Sequence, residues 1–339
     1  APEYGQTLYV SNASKAVSAV NAVLTKKEQT LKSVNLGYEE IRKKRKTTVR
    51  KLFDLSAAES NKHILTEPAV KSKSESIKQQ YVFNDKEKEQ IIEMIDWRPF
   101  ATTWGMKPKD LIDTDPGQEL VEDAQHMLEL LKNSKDVIIS AAISINPSRK
   151  SGNDVTVTHL EESETFNFVR QSMKKVSTKN LSLSDFLHKE DWLGCFAVWV
   201  SGIDKRTDTL KAAGDDYRSI LIQSLGDRLA EATAEYMHKI VRTSLWGYSK
   251  DDLTIDDIIA EKYVGIRPAP GYPACPDHTQ KIKILKWLNI PKSKVRLTEG
   301  LAMLPKSAVC GWYFANNESK YFGIGKLPKE YLDDLETRN

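Results

Sequence analysis

RPAPGYPACPDH, residues 267–278, is the stretch from which the rest of the chain is best read. Prolines stand at 268, 270, 273 and 276, and Gly271 lies among them. Proline fixes φ and removes a backbone donor, so neither a helix nor a central strand can run through this segment. A chain so stiff has little entropy left to lose when it is fixed against a ligand. Gly271 alone is free to take positive φ or to let a ligand come close to the backbone. Arg267 supplies a planar fork suited to one carboxylate. Two readings stay open here: a loop that grips a ligand, and a rigid surface connector.

Outward from this stretch the periodicities predict a mixed fold. Just upstream, a helix over 214–246 buries Leu221, Leu225, Leu229, Ala232, Tyr236 and Ile240. Asp227, Glu231 and Glu235 repeat on it at i, i+4, so like charges stack on one stripe that must face water or meet a cation. A short helix within 251–263 is capped by Thr254. Downstream, Pro276 is placed in a first helical turn, and Ile282, Leu285 and Leu288 continue that helix to Asn289. Strands are predicted at 296–304, 308–315 and 321–326, with a turn at 316–319, before Pro328 opens a last helix.

The N-terminal part begins with a short strand at 8–11 and a helix from Asn12 or Ser14, on which Val17, Val20 and Leu24 share a stripe. A second helix, about 36–53, carries Arg42, Lys43, Lys44, Arg45, Lys46, Arg50 and Lys51. Glu39 and Glu40 precede Lys43 and Lys44 by four residues, which favours a solvated face over a docking face for an acidic partner or a phosphate backbone. Residues 56–80 read as a surface connection, and a helix from Asp85 must end before Pro99. Asp96 and Trp97 then fall in its last turn, where a carboxylate opposes the helix dipole unless a cation is near. Next come a loop at 105–117 and a helix at 118–133. Strands at 137–145 and 154–159, a helix near 165–175 and a buried strand at 195–200 follow. Helices and strands do not alternate strictly, which favours α+β over a doubly wound sheet.

Composition sets the outer limits. A chain of 339 residues, 40% hydrophobic and 29% charged, can build an ordinary globular core. No apolar run approaches eighteen residues, so no membrane helix is predicted, and a net charge of +3 is too small to imply nucleic acid. Cys195, Cys275 and Cys310 are far apart and odd in number, which points to a reducing cytoplasm. The chain opens at Ala1 with no signal pattern and reads as a segment of a longer protein. HExxH, Walker A and GxSxG are absent, and the six histidines show no ligand spacing. His278 beside Asp277 is a weak acid–base candidate. Cys275 lies near a helix start, where thiol pKa tends to fall, but no base accompanies it. The early Gly-rich turn of a Rossmann methyltransferase is missing.

GIRPAPGYPACPDHT (265–279) resembles the signature of the activation domain of cobalamin-dependent methionine synthase, in which Arg-Pro-x-x-Gly-Tyr binds S-adenosylmethionine (AdoMet). IDWRPF (95–100), DDYRSILIQSLGDRLAEATAEYMH (215–238), LTEGLAM (297–303), and SAVCGWYF with SKYF (307–322) are similar to other segments of that domain. The likeness runs from about residue 36 onward and thins between 101 and 190. It implies a twisted antiparallel sheet flanked by helices, with 1–25 the tail of a cobalamin-binding domain and 26–339 the activation domain.

The resemblance also implies a site. Arg267 answers the AdoMet carboxylate; Asp96 or Glu231 answers the ammonium, and the other takes ribose hydroxyls. Ala269 and Gly271 offer backbone groups, and Tyr272, Tyr321 and Phe322 offer ring faces. Phe322 stands where relatives often carry a second tyrosine. The implied activity is presentation of the AdoMet methyl group to cob(II)alamin, with an electron from a flavodoxin-like or diflavin reductase. That scheme asks for proximity and orientation rather than a general acid or base. Two competing readings are a docking module for the reductase without its own cofactor, and a reactivation domain for another corrinoid protein.

Overall fold

A computed structural model describes residues 7–10, 13–47, 52–73, 75–173, 178–250 and 253–339. It divides into two compact units, Ala1–Leu52 and Phe53–Asn339. The first holds one helical stretch, α1 (Ala13–Thr47), broken at Lys26, where φ is −142° and ψ 55°. The two helices expected here are therefore the halves of α1, and residues 8–10 are not a strand. Val20 and Leu24, expected on an apolar stripe, are exposed. The expected start at Asn12 and the basic residues Arg50 and Lys51 lie outside the described residues.

In the second unit the strands are β1 (Ile77–Val82), β2 (Ile138–Ser151), β3 (Asp154–His159), β4 (Glu162–Asn167) and β5 (Glu190–Ser201), followed by β6 (Arg296–Leu297), β7 (Met303–Leu304) and β8 (Ala308–Tyr313). Six of them make one sheet in the order β4-β3-β2-β5-β8, with β1 also paired to β2. Every pairing is antiparallel. The long β2 pairs β1 through Ser140–Ile145 and β3 through Ser148–Ser151, while β5 runs along its other edge.

The helices are α2 (Leu55–Ser60), α3 (Asp85–Glu93), α4 (Trp97–Thr103), α5 (Asp110–Asp113), α6 (Asp115–Lys132), α7 (Ile203–Ala212), α8 (Asp216–Ile240), α9 (Ile255–Ile259), α10 (Gln280–Trp287) and α11 (Lys329–Arg338). Strand β5 explains the layering. Its apolar run sends Phe196, Val198 and Val200 into a core shared with α3, α6 and α8, and Cys195, Ala197 and Trp199 into a second core shared with α10. Alternate residues of a strand face opposite sides, so a run without alternation is covered on both faces. The α+β architecture expected from the sequence is the one found.

Several local expectations differ. Residues 165–173 are not helical, and the end of the helix expected near 165–175 lies outside the described residues: Glu162–Asn167 forms β4, whose Thr165 hydroxyl lies 2.9 Å from that of Thr156 across the pair. The connection expected at 56–80 contains α2, capped by Asp54, and most of β1. The long helix is α8, capped by Asp215, and runs into a π turn at Val241–Leu245. The strand expected at 296–304 splits into β6 and β7, because Thr298 and Ala302 close a turn with Leu301 at positive φ. Helix α10 starts at Gln280, beyond Pro276, because the Asp277 carboxylate holds the Thr279 amide and the Gln280 side chain in a turn. Residues 321–326 are not a strand. Their Ile324 amide donates to Pro273.

Asp96 carries the most consequential difference. The helix from Asp85 stops at Glu93, and Asp96 caps a new one, α4, by accepting from the Arg98 amide at 2.9 Å. Pro99 is not a stop signal, because the first turn of a helix has no use for its missing donor. A carboxylate at a helix N-terminus is favoured by the dipole, so the conflict expected at Asp96 does not arise.

Candidate functional site

The proline-rich stretch lies along the open edge of β8. Ile266 exchanges hydrogen bonds with Phe314, and the Pro268 carbonyl accepts from Trp312 at 3.0 Å. Gly311 permits this approach, since a Cβ there would stand 2.3 Å from the Pro268 oxygen. Beyond it the chain turns tightly: Tyr272 donates to Ala269 and Gly271 donates to Cys275. Gly271 has φ +96°, and a Cβ on it would meet the His278 ring at 2.4 Å.

Edge pairing of 266–268 brings Arg267 against α8. Its Nε donates to Glu235 Oε1 at 3.1 Å, Nη2 donates to the same oxygen, and Nη1 lies 3.7 Å from Glu231 Oε2. The backbone amide of Arg267 donates to the Tyr321 hydroxyl at 3.0 Å. Glu231 accepts from the Tyr272 hydroxyl at 3.2 Å, and its charge raises the Tyr272 pKa. Burial alone would lower the Arg267 pKa, yet Glu235 and Glu231 outweigh it and the guanidinium is held charged. The cation that Glu231 and Glu235 of the acidic stripe require is thus Arg267 itself, while Asp227 accepts from Gln223 and Ser307.

These residues border a cleft of about 420 Å³ lined by Glu231, Glu261, Arg267 to Ala269, Tyr272 to Ala274, Val309, Tyr321 and Phe322. Burial raises the Glu261 pKa, while Arg267 pulls it down in part. A second cleft of about 520 Å³ shares Glu231, Ala269, Tyr272 and Val309 with the first and extends past Asp227, Arg228 and Lys281. Of the residues expected at a site, Glu231, Arg267, Ala269, Tyr272, Tyr321 and Phe322 line the first cleft together. Gly271 sits in the turn beside it.

Asp96 lines neither cleft. Its carboxylate is forked by Arg98, with Nε at 2.9 Å and Nη2 at 2.8 Å. Burial pushes its pKa up, but Arg98 and the more distant Arg228 prevail and lower it. Cys275 departs from expectation, because burial pushes its thiol up to about 12. Glu235 and Glu261 are not among the residues expected to contact a ligand. The i, i+4 repeat after Glu231 pointed to Glu235, whereas nothing marked Glu261. Among the described residues no group of His, Cys, Asp and Glu can hold a metal ion, and no helix is long and apolar enough to cross a membrane.

Comparison with known proteins identifies the family. The family model described as "Vitamin B12 dependent methionine synthase, activation domain" matches residues 87–339. A solved structure of the MetH reactivation domain bound to AdoHcy is 34% identical, with a TM-score of 0.78. That match covers 85% of this chain and 94% of the other. The antiparallel sheet with its proline-braced edge, the family model and the solved relative agree, and the chain belongs to the activation-domain family of vitamin B12-dependent methionine synthase, part of a methyltransferase.

Proposed function

We propose that the cleft beside Arg267 binds AdoMet and presents its methyl group to cob(II)alamin held by a neighbouring domain, reactivating methionine synthase. One observation carries the reading: a guanidinium braced by Glu235 faces a cleft of about 420 Å³ with an acid and aromatic rings on its walls. Ligand sites of drug-sized molecules have this size and mix of groups. The solved relative described as bound to AdoHcy, the demethylated form of AdoMet, supports it.

The carboxylate and ammonium of an amino acid sit on one carbon, so their partners must be neighbours. Arg267 and Glu231, 3.7 Å apart, meet that condition. In this reading Arg267 takes the carboxylate and Glu231 the ammonium. Asp96 reaches ribose hydroxyls only by exchanging its fork with Arg98. Ala269 and Gly271 give backbone contacts, and Tyr272, Tyr321 and Phe322 give ring faces. Cobalamin, when held by its own domain, supplies the reduced metal that accepts the methyl group. An electron from a flavodoxin-like or diflavin reductase balances that transfer from the cob(II) state. This chain's residues orient the sulfonium and supply no acid or base.

The same reading assigns residues 1–25 to the tail of the cobalamin-binding domain, 26–339 to the activation domain, and the protein to the cytoplasm. Calorimetric titration of the chain with AdoMet tests it. Saturable binding at one site supports the reading; no binding by a folded chain overturns it in favour of a reductase-docking module.

A further inference from the structure

We propose that Glu235 is a positioning residue for the ligand carboxylate, acting through Arg267. The proposal rests on the AdoMet reading above. A guanidinium has two useful forks, the Nε–Nη2 side and the Nη1–Nη2 end. Glu235 occupies the side fork with a single oxygen, Oε1, so the end of the fork that carries Nη1 is turned toward Glu231 and the cleft.

The surroundings of the pair are built to keep it there. Both side chains are only 16% exposed. Tyr263, which feels the charges of both Glu235 and Arg267, is buried. Arg242 stacks 4.5 Å over its ring. His238 meets the same ring edge-on at 4.8 Å and lies flat on Tyr313 at 5.3 Å. His238, Arg242 and Tyr313 are almost fully buried, so this wall has little freedom to move. Among the described residues, Glu235 Oε2 is buried without a hydrogen-bond partner. A buried carboxylate with one oxygen unsatisfied is costly, so its presence calls for a role beyond packing.

Charge and orientation predict opposite signs at this position. Removing a negative charge next to a carboxylate site should strengthen anion binding if only Coulomb's law mattered. Losing the brace should weaken it, because Arg267 would then sample other rotamers. This sets the experiment: equilibrium dialysis of the 339-residue chain and its Glu235→Ala and Glu235→Gln variants, with thermal unfolding recorded for each. The probes are AdoMet, S-adenosylhomocysteine and 5′-methylthioadenosine, which lacks the amino-acid end. We expect Glu235→Ala to weaken AdoMet and S-adenosylhomocysteine by about tenfold or more, as for a lost charge-assisted contact. Glu235→Gln, which keeps an acceptor oxygen, should recover part of that loss, and 5′-methylthioadenosine should stay within about twofold.

Unchanged or tighter AdoMet binding in both variants overturns the proposal, as does an equal loss for 5′-methylthioadenosine. If the unsubstituted chain binds no AdoMet, the AdoMet reading fails and takes this proposal with it. If that chain binds and only the variants behave otherwise than expected, the positioning role alone is lost.

Discussion

Arg267 Nε lies 3.1 Å from Glu235 Oε1, and Nη2 of the same guanidinium donates to that oxygen. A residue of the proline-rich edge segment is thereby locked to the C-terminal third of the longest helix of the second unit. The contact requires Pro268 to bond β8, the stripe Glu231–Glu235 to face that edge, and Tyr321 to hold the Arg267 amide. Packing of the fold and geometry of the cleft are therefore coupled at one side chain.

Arg267→Ala should lower AdoMet affinity by roughly 2–4 kcal/mol, the range of a charge-assisted bidentate pair. The same change leaves Glu235 partly buried without its cation, so unfolding free energy should also fall, by about 1–3 kcal/mol. Calorimetry and chemical denaturation read the two effects separately. An unaltered dissociation constant removes Arg267 from the site.

Gly271→Ala should destabilise the turn through two independent strains. Its φ of +96° disfavours any side chain, and the new Cβ would meet His278 Cε1 at 2.4 Å. A loss of about 1–3 kcal/mol is expected in denaturant titrations. Adding His278→Ala should relieve the contact but not the dihedral, so only part of the loss returns. Full recovery would show that sterics alone governed the position.

Glu318 gives the chain an acid-sensitive tie. Its carboxylate accepts from the Glu67 amide at 2.9 Å, the Thr66 amide at 2.6 Å and the Thr66 hydroxyl at 2.9 Å, with His63 at 2.9 Å. The backbone amides of Glu67 and Thr66 bring its pKa down from the ordinary 4.5 to about 2. A folded-state value below the unfolded one means stability fully present above 4.5 and lost as pH falls toward 2. Glu318→Gln should flatten that part of the acid-unfolding curve, monitored by circular dichroism. An identical curve for the variant contradicts the assignment.

The architecture was largely legible because the pattern and the packing agree. The run Cys195–Val200 had no alternation and proved to be covered on both faces, and Leu221, Leu225, Leu229, Ala232 and Tyr236 are all buried along α8. Thr254 caps α9 through a reciprocal bond with Asp257, as the local spacing required. Short elements were harder to see. In Asp96-Trp97-Arg98-Pro99 a proline at the third position of a new helix has the same local appearance as a proline that ends an old one.

At the cleft, Arg267 and Tyr272 were marked by their own segment, and Glu231 by its stripe. What the sequence could not reveal was the partner of the stripe: the cation for Glu231 and Glu235 comes from a residue more than thirty positions later, brought in by edge pairing along β8. Glu261 carries no periodic or compositional mark and joins the cleft only through the fold. At Cys275, burial outweighs the pull of a nearby helix start on the thiol.

The central claim is that this braced arginine grips the amino-acid end of a sulfonium ligand, and a crystal structure of the chain with AdoMet tests it most directly. The account predicts the ligand carboxylate within hydrogen-bonding distance of Arg267, with Glu235 still on the Nε side. AdoMet bound away from the cleft, with the Arg267 guanidinium turned to solvent, would contradict it.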